Sequence, residues 1–353
     1  MQIPNWLDQQ APHKHQSIYW FRTPMGLESM LLAELQKQLS IQSSWLSHRN
    51  VVVIGEHTKE TEKIITQMRI ADDAYLLLAC CRELDHTRAS AARLLEHFKE
   101  HIAPQLASKK IATRITLSFL GKRNFNRFFV ENKLNAHLTE LGVHPILSNE
   151  LKTPWQADER RIRYHLEADI ALIGQSLKDK PLHRRPWRTH RYNGQVSTTI
   201  AAAMASQISP SLSSPIIDPF CGSGTLLIES AFIHPQTAHW GFDINEEATG
   251  IAQTAAFESQ KKLNLEQRDS LQMDWSKLDY YLLSNPPWGA KHEIASSHFA
   301  QSLAQIIDHS KEAILLLPQA LLANLQQHSH KKSFPLAQSR TRGKLVQIVR
   351  FSA

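Results

Sequence analysis

Asn285-Pro286-Pro287-Trp288 brings two hydrogen-bond acceptors and a flat aromatic face into four consecutive residues. The Asn285 side-chain oxygen and the Pro286 carbonyl can each accept from an amino group. Proline has a fixed φ, so the carbonyl it carries is aimed. An amine conjugated into a base ring is a poor nucleophile. Two acceptors on its N–H bonds pull the lone pair out of conjugation. Trp288 offers a surface on which a base can stack, worth roughly 1–3 kcal/mol by analogy with aromatic stacking of single-stranded bases. These residues suit methyl transfer to an amino nitrogen, a reaction in which a sulfonium donor is already reactive and the protein mainly supplies position.

The donor needs its own site. Asp218-Pro219-Phe220-Cys221-Gly222-Ser223-Gly224-Thr225 follows the apolar pair Ile216-Ile217 and precedes a helical run over 226–232, with Gly222 placed 63 residues before Asn285. An apolar strand that breaks into a glycine turn and then a helix builds a nucleotide-type site. Leu227 stands where a dinucleotide fingerprint has its third glycine, and the Gly-Lys-Ser/Thr of a P-loop is absent. S-adenosylmethionine, which has no pyrophosphate, therefore fits better than NAD or ATP. Asp243 ends the next strand 21 residues after Gly222, where a carboxylate bonds ribose hydroxyls. Asp269 ends the third strand, where it can accept from an adenine amino group. Acids at strand ends also cap turns, but three on consecutive strands are harder to explain that way. The expected cofactor residues are Asp218, Phe220, Gly222, Gly224, Asp243 and Asp269; the expected catalytic residues are Asn285, Pro286 and Trp288.

The elements that must hold these residues follow from periodicity. From residue 197 the pattern alternates, with strands over 216–220, 238–243, 265–269, 280–285 and 312–317 and helices over 198–208, 246–261 and 296–309. Alternation of this kind implies a doubly wound, mostly parallel sheet. Runs over 336–339 and 344–351 flank Gly343 and predict a hairpin that closes the sheet with an antiparallel strand. The first half reads as two small α+β modules. One has a helix over 26–39 and a strand over 51–54; the other has helices over 58–68, 88–102 and 122–141 with strands over 74–80, 111–119 and 161–172, the last being one strand or two. Residues 174–195 form a linker rich in Gly, Pro and basic side chains.

Across 353 residues, 40 Lys and Arg exceed 33 Asp and Glu, giving +7. A basic surplus suits a polyanionic partner. The expected contacts are Arg184, Arg185, Arg188 and Arg191 in the linker, and Lys122 and Arg123 at the start of the third helix of the second module. Phe125, Phe128 and Phe129 are expected to face the core rather than RNA. Three cysteines make no disulfide framework, and the 19 histidines match no zinc spacing, so no metal is expected. No apolar run reaches the ~18 residues of a membrane span, and residues 1–16 lack a signal-peptide core, so a cytoplasmic location is expected.

The glycine turn followed by Asn-Pro-Pro-Trp resembles the THUMP-domain RNA methyltransferases that modify guanine at its exocyclic N2. Leu182-His183-Arg184-Arg185-Pro186-Trp187-Arg188 is similar to the basic segment before their catalytic domain, and Thr23-Pro24-Met25-Gly26-Leu27-Glu28 to their N-terminal unit. The resemblance implies an α/β fold: a Rossmann-like class I methyltransferase domain, a seven-stranded sheet with a C-terminal antiparallel hairpin, over 196–353. A ferredoxin-like domain (1–66), a THUMP RNA-binding domain (67–178) and a basic linker (179–195) precede it. It implies S-adenosylmethionine as cofactor and RNA as substrate, tRNA ahead of rRNA. The aromatic after Pro-Pro is often tyrosine or phenylalanine in related amino methyltransferases; here it is tryptophan. N6-adenine methylation uses the same motif, and an RNA-binding protein with a vestigial catalytic domain is the alternative of another class.

Overall fold

A computed structural model describes residues 3–8, 15–108, 111–147, 159–190, 192–288, 297–341 and 343–353. It divides into two compact units. The first comprises Met1–Arg22, Glu34–Met68 and Asp73–Leu182; the second comprises Thr23–Ala33, Arg69–Asp72 and His183–Ala353.

In chain order the first half contains β1 (Gln16–Arg22), α1 (Glu28–Gln38), β2 (Ile41–Ser47), β3 (Asn50–Glu56), α2 (Lys59–Ile65), β4 (Asp73–Cys81), α3 (Arg88–His97), α4 (Ala103–Ala107), β5 (Thr113–Phe119), α5 (Arg127–Glu140), β6 (Arg160–Glu167) and β7 (Ile170–Ser176). Its strands form one seven-stranded sheet in the order β2-β3-β1-β4-β7-β6-β5. β1 pairs with both β3 and β4, so strands assigned to separate modules at residue 66 share a ladder. β1 escaped the sequence reading because Ser-Ile-Tyr-Trp-Phe is buried on both faces and shows no alternation. Residues 161–172 resolve into two antiparallel strands, β6 and β7. One core packs α3 and α5 on β5 and β6 through Leu94, Leu134, Leu138, Ile115 and Tyr164. Another is built from Trp20, Trp45, Val52 and Leu172, with Trp20 stacked on Tyr75 at 4.6 Å.

α5 corrects one expectation. Asn126 caps it, accepting from Phe128 N, and this start puts Val130, Leu134 and Leu138 on the buried face. Phe128 and Phe129 fall on the outer face, 44% and 52% exposed, while Phe125, before the helix, packs edge-on against Phe119.

The second half contains α6 (Thr198–Ala205), β8 (Ile216–Asp218), α7 (Thr225–Ile233), β9 (His239–Asp243), α8 (Glu246–Glu258), β10 (Asn264–Gln267), β11 (Tyr281–Ser284), α9 (Ser297–His309), β12 (Ala313–Leu317), α10 (Gln319–His328), β13 (Lys332–Thr341) and β14 (Lys344–Ser352). The sheet runs β10-β9-β8-β11-β12-β14-β13. Its first five strands are parallel, and β14 pairs antiparallel with β12 and β13, as the sequence predicts. The strand core of Leu282, Leu315, Leu317 and Val349 is covered by Leu303, Ile307 and Leu325 of α9 and α10. The short segment before α1 also belongs to this unit. Gly26 there has φ 84°, and a side chain on it would collide with the Gln338 carbonyl of β13. No helix among the described residues is long and apolar enough to cross a membrane.

Candidate active site

The chain leaves β8 towards β9 and β10 on one side, then returns to place β11 and β12 on the other. The crevice at such a switch point, beyond the carboxyl ends of the strands, is where doubly wound sheets bind ligands. A cavity of about 690 Å³ lies there.

Asp218 ends β8 and is buried. Its Oδ1 accepts from the Phe220 N–H at 3.1 Å and from Ser284 Oγ at 2.6 Å. Burial pushes its carboxyl up to about 7. Ser284 immediately precedes Asn285, so this bond ties the glycine turn to the end of β11. The turn is closed by Cys221 N–H to the Phe242 carbonyl and Gly224 N–H to the Cys221 carbonyl, both 2.9 Å. Gly224 is the residue before α7 and has φ 73°; a Cβ there would stand 3.0 Å from Ala252 Cβ. That position therefore needs glycine twice over, for its backbone and for its contact with α8.

Asp243 ends β9. One oxygen accepts from the Gly222 N–H at 2.8 Å and the other from the Asn245 N–H at 2.9 Å. The acid is thus fixed by the glycine turn and by the start of α8. Asp269 begins a single 3-10 turn, Ser270–Gln272, and its Oδ1 accepts from the Leu271 N–H at 3.0 Å. Its capping role is real, and it lines the cavity as well. From β11, Asn285, Pro286 and Trp288 line the same cavity, and the Trp288 indole N–H donates to Asn285 Oδ1 at 2.9 Å. Phe220 lines it too and packs on Phe299 at 5.9 Å.

Every expected catalytic and cofactor residue except Gly224 therefore reaches one cavity, with Gly224 behind it at the head of α7. The sequence reading missed Ile244, Leu271, residues 192–196 and Lys344, which also line it. Ile244 is 69% exposed although apolar. Its signal was available: an isoleucine directly after a strand-end acid, where the chain leaves the core.

The basic residues divide sharply. Arg185 Nε donates to Glu229 at 2.8 Å and its Nη2 to the Arg69 carbonyl at 2.8 Å, while Arg69 Nε donates to the other Glu229 oxygen at 2.6 Å. Glu229, on α7, is fully buried, and the Arg69 guanidinium also lies 3.7 Å from the Phe232 ring centroid. Trp187 is buried against Ile228 and Ala255. Arg188 donates to Gln195 Oε1 at 3.0 Å. Arg184, Arg185 and Arg188 line a second cavity of about 920 Å³ with His183 and His190, and it shares Tyr192, Asn193, Gln195 and Asn245 with the first. Arg191 lies outside the described residues. In the other unit Lys122 is exposed, whereas the Arg123 guanidinium bridges the carbonyls of Leu84, Asp85 and Ala168 at 2.9, 2.7 and 2.5 Å.

Residues 185–343 match the family described as RMKL-like, methyltransferase domain. Ribosomal RNA large subunit methyltransferase K/L of Photobacterium profundum is 27% identical over 243 residues, which is 63% of this chain and 31% of that protein. Its counterpart from Vibrio campbellii is 34% identical over 93 residues, 25% of this chain and 13% of that protein. The chain thus spans about a third or less of the curated relatives it matches. TrmN from Thermus thermophilus superposes with a TM-score of 0.76 at 21% identity, over 96% of this chain and 99% of that one. SMU.472, a putative methyltransferase complexed with SAH, does so with 0.72 at 15% identity, over 97% and 99%. The fold is that of these two solved structures, and the match over residues 185–343 makes the second half of the chain similar to an RMKL-like methyltransferase domain.

Proposed function

We propose that the protein is an S-adenosylmethionine-dependent RNA methyltransferase that modifies the exocyclic N2 amine of a guanosine. The observation that carries this reading is the single cavity at the switch point, where Asn285 and Pro286 face the crevice that also holds Asp243 and Asp269. Its volume, about 690 Å³, lies in the usual range for a cofactor-sized ligand. The lining fits a nucleoside. Asp243 is held by two backbone N–H groups in a position to accept from ribose hydroxyls. Asp269 stands where an adenine amino group can donate, and exposed Ile244 and half-buried Leu271 offer apolar contact for its ring.

S-adenosylmethionine supplies an electrophilic methyl group when bound. The chain's own task is to hold the target amine in line with it. Asn285 Oδ1 and the Pro286 carbonyl accept from the amine, and the Trp288 face is positioned to stack the base, which leaves its helical stack to get there. On the RNA side, Arg184 and Arg188 at the adjoining cavity and exposed Lys122 are the proposed phosphate contacts. Arg185 and Arg123 are engaged with Glu229 and with backbone carbonyls, and act by shaping those surfaces. A tRNA is the proposed substrate, with ribosomal RNA, for which the sequence relatives are named, as the alternative. The cytoplasm is the matching location.

Nucleoside mass spectrometry tests this. Purified protein with isotope-labelled S-adenosylmethionine should place label in N2-methylguanosine of tRNA from a strain lacking the gene. Label in N6-methyladenosine would replace the guanine assignment, and no labelled nucleoside would remove the enzymatic one. Asp243→Ala should raise the dissociation constant for S-adenosylhomocysteine about 10- to 100-fold by calorimetry, the usual worth of hydrogen bonds to a charged group. An unchanged constant would take the ribose role from Asp243.

A further inference from the structure

The Trp288 indole donates to the oxygen assigned to the target amine. An asparagine side chain has two ends of nearly the same shape, one accepting and one donating. Rotation by half a turn would set two N–H donors against the incoming amine. The indole N–H is a donor only, so it can pair with the oxygen and not with the amide nitrogen. The Trp288–Asn285 contact, 2.9 Å, therefore fixes which end is which. A carbonyl oxygen has two lone pairs, so the indole leaves one for the amine. The indole is itself held, with Lys344 Nζ of β14 lying 5.9 Å from its ring centroid.

We propose that Trp288 is a positioning residue that sets the Asn285 amide in its accepting orientation through the indole N–H, a role separate from base stacking and resting on the methyl-transfer reading of this site. Phenylalanine or tyrosine keeps a flat ring at this position but has no N–H at that place. The tryptophan after Pro-Pro thus acquires a chemical purpose of its own.

A double-mutant cycle separates ring from N–H. The measured quantity is the single-turnover rate of tritium transfer from S-adenosylmethionine to total RNA of a strain lacking the gene. Trp288→Phe should slow the wild-type protein about tenfold, which is about 1.4 kcal/mol. A carboxylate accepts at both ends, so orientation ceases to matter in an Asn285→Asp background. There Trp288→Phe should cost less than about twofold. Equal slowing in both backgrounds assigns Trp288 to stacking alone and overturns the proposal, as does no slowing in either. An Asn285→Asp protein without measurable rate overturns it too, since acceptor character would not be all that Asn285 provides. Indole proton exchange, read by NMR, checks the bond without turnover. The resonance missing from Trp288→Phe should exchange at least about tenfold faster in Asn285→Ala, and an equal rate refutes the bond. Wild-type protein that methylates no RNA while this proton stays protected would instead sink the proposed function.

Discussion

Asn285→Ala is expected to lower turnover by about 10²–10³-fold, the usual loss when one preorganised hydrogen-bonding group is removed from the reacting centre. Cofactor affinity should stay within about twofold, because binding and reaction are built on different strands. The acids assigned to the cofactor end β8 and β9 or begin the turn after β10, whereas Asn285 follows β11. Asp243 and Asp269 are positioned by the Gly222, Asn245 and Leu271 backbone N–H groups, and Asp218 by the Phe220 N–H and the Ser284 hydroxyl, so none of these bonds is made by the Asn285 side chain. Single-turnover rates with calorimetry on the same preparation make the check. A variant that retained more than about a third of the wild-type rate would deprive Asn285 of its role. Equal losses of affinity and rate would place it in the cofactor site instead.

Glu229→Ala should cost about 3–5 kcal/mol of stability, read from chemical denaturation. The carboxylate is fully buried and takes one hydrogen bond from Arg69 and one from Arg185, at 2.6 and 2.8 Å. Its removal leaves two largely buried guanidinium groups without their counter-charge, and this, rather than the net worth of the pairing, sets the size of the effect. Glu229→Gln keeps the shape and one acceptor and should cost less. Because α7 begins at the glycine turn, saturating S-adenosylhomocysteine should restore part of the loss by binding only the folded form. A cost below about 1 kcal/mol for Glu229→Ala would mean that the two arginines find water or other partners.

The second half was legible because its signals are local. A strand, a glycine turn and a helix fall within 20 residues, and each strand-end acid is marked by the apolar run before it. The parallel sheet and its closing hairpin followed from that alternation. What was hidden depends on partners distant in the chain. β1 is flanked by β3 and β4 and buried on both faces, so it carries no period-two signature. Arg184, Arg185 and Arg188 look alike in a short basic run, yet Arg185 is held by Glu229, 44 residues beyond it. The outward turn of Phe128 and Phe129 was set by where Asn126 begins the helix, a shift of a residue or two that composition does not reveal. Asn285 and Trp288 were visible as a motif, but the bond between them was not, because an indole reads first as a ring.

The unit that bears the candidate site is assembled from three separate stretches of chain, Thr23–Ala33, Arg69–Asp72 and His183–Ala353. On a ribosome, the first of these emerges about 150 residues before the third begins. At 5–20 residues per second that interval is roughly 8 to 30 seconds. During it Leu27 and Leu31, both fully buried in the finished protein, have none of the third stretch to cover them. Arg69 likewise waits for Glu229. The unit that holds the cavity therefore closes only once its third stretch has been made.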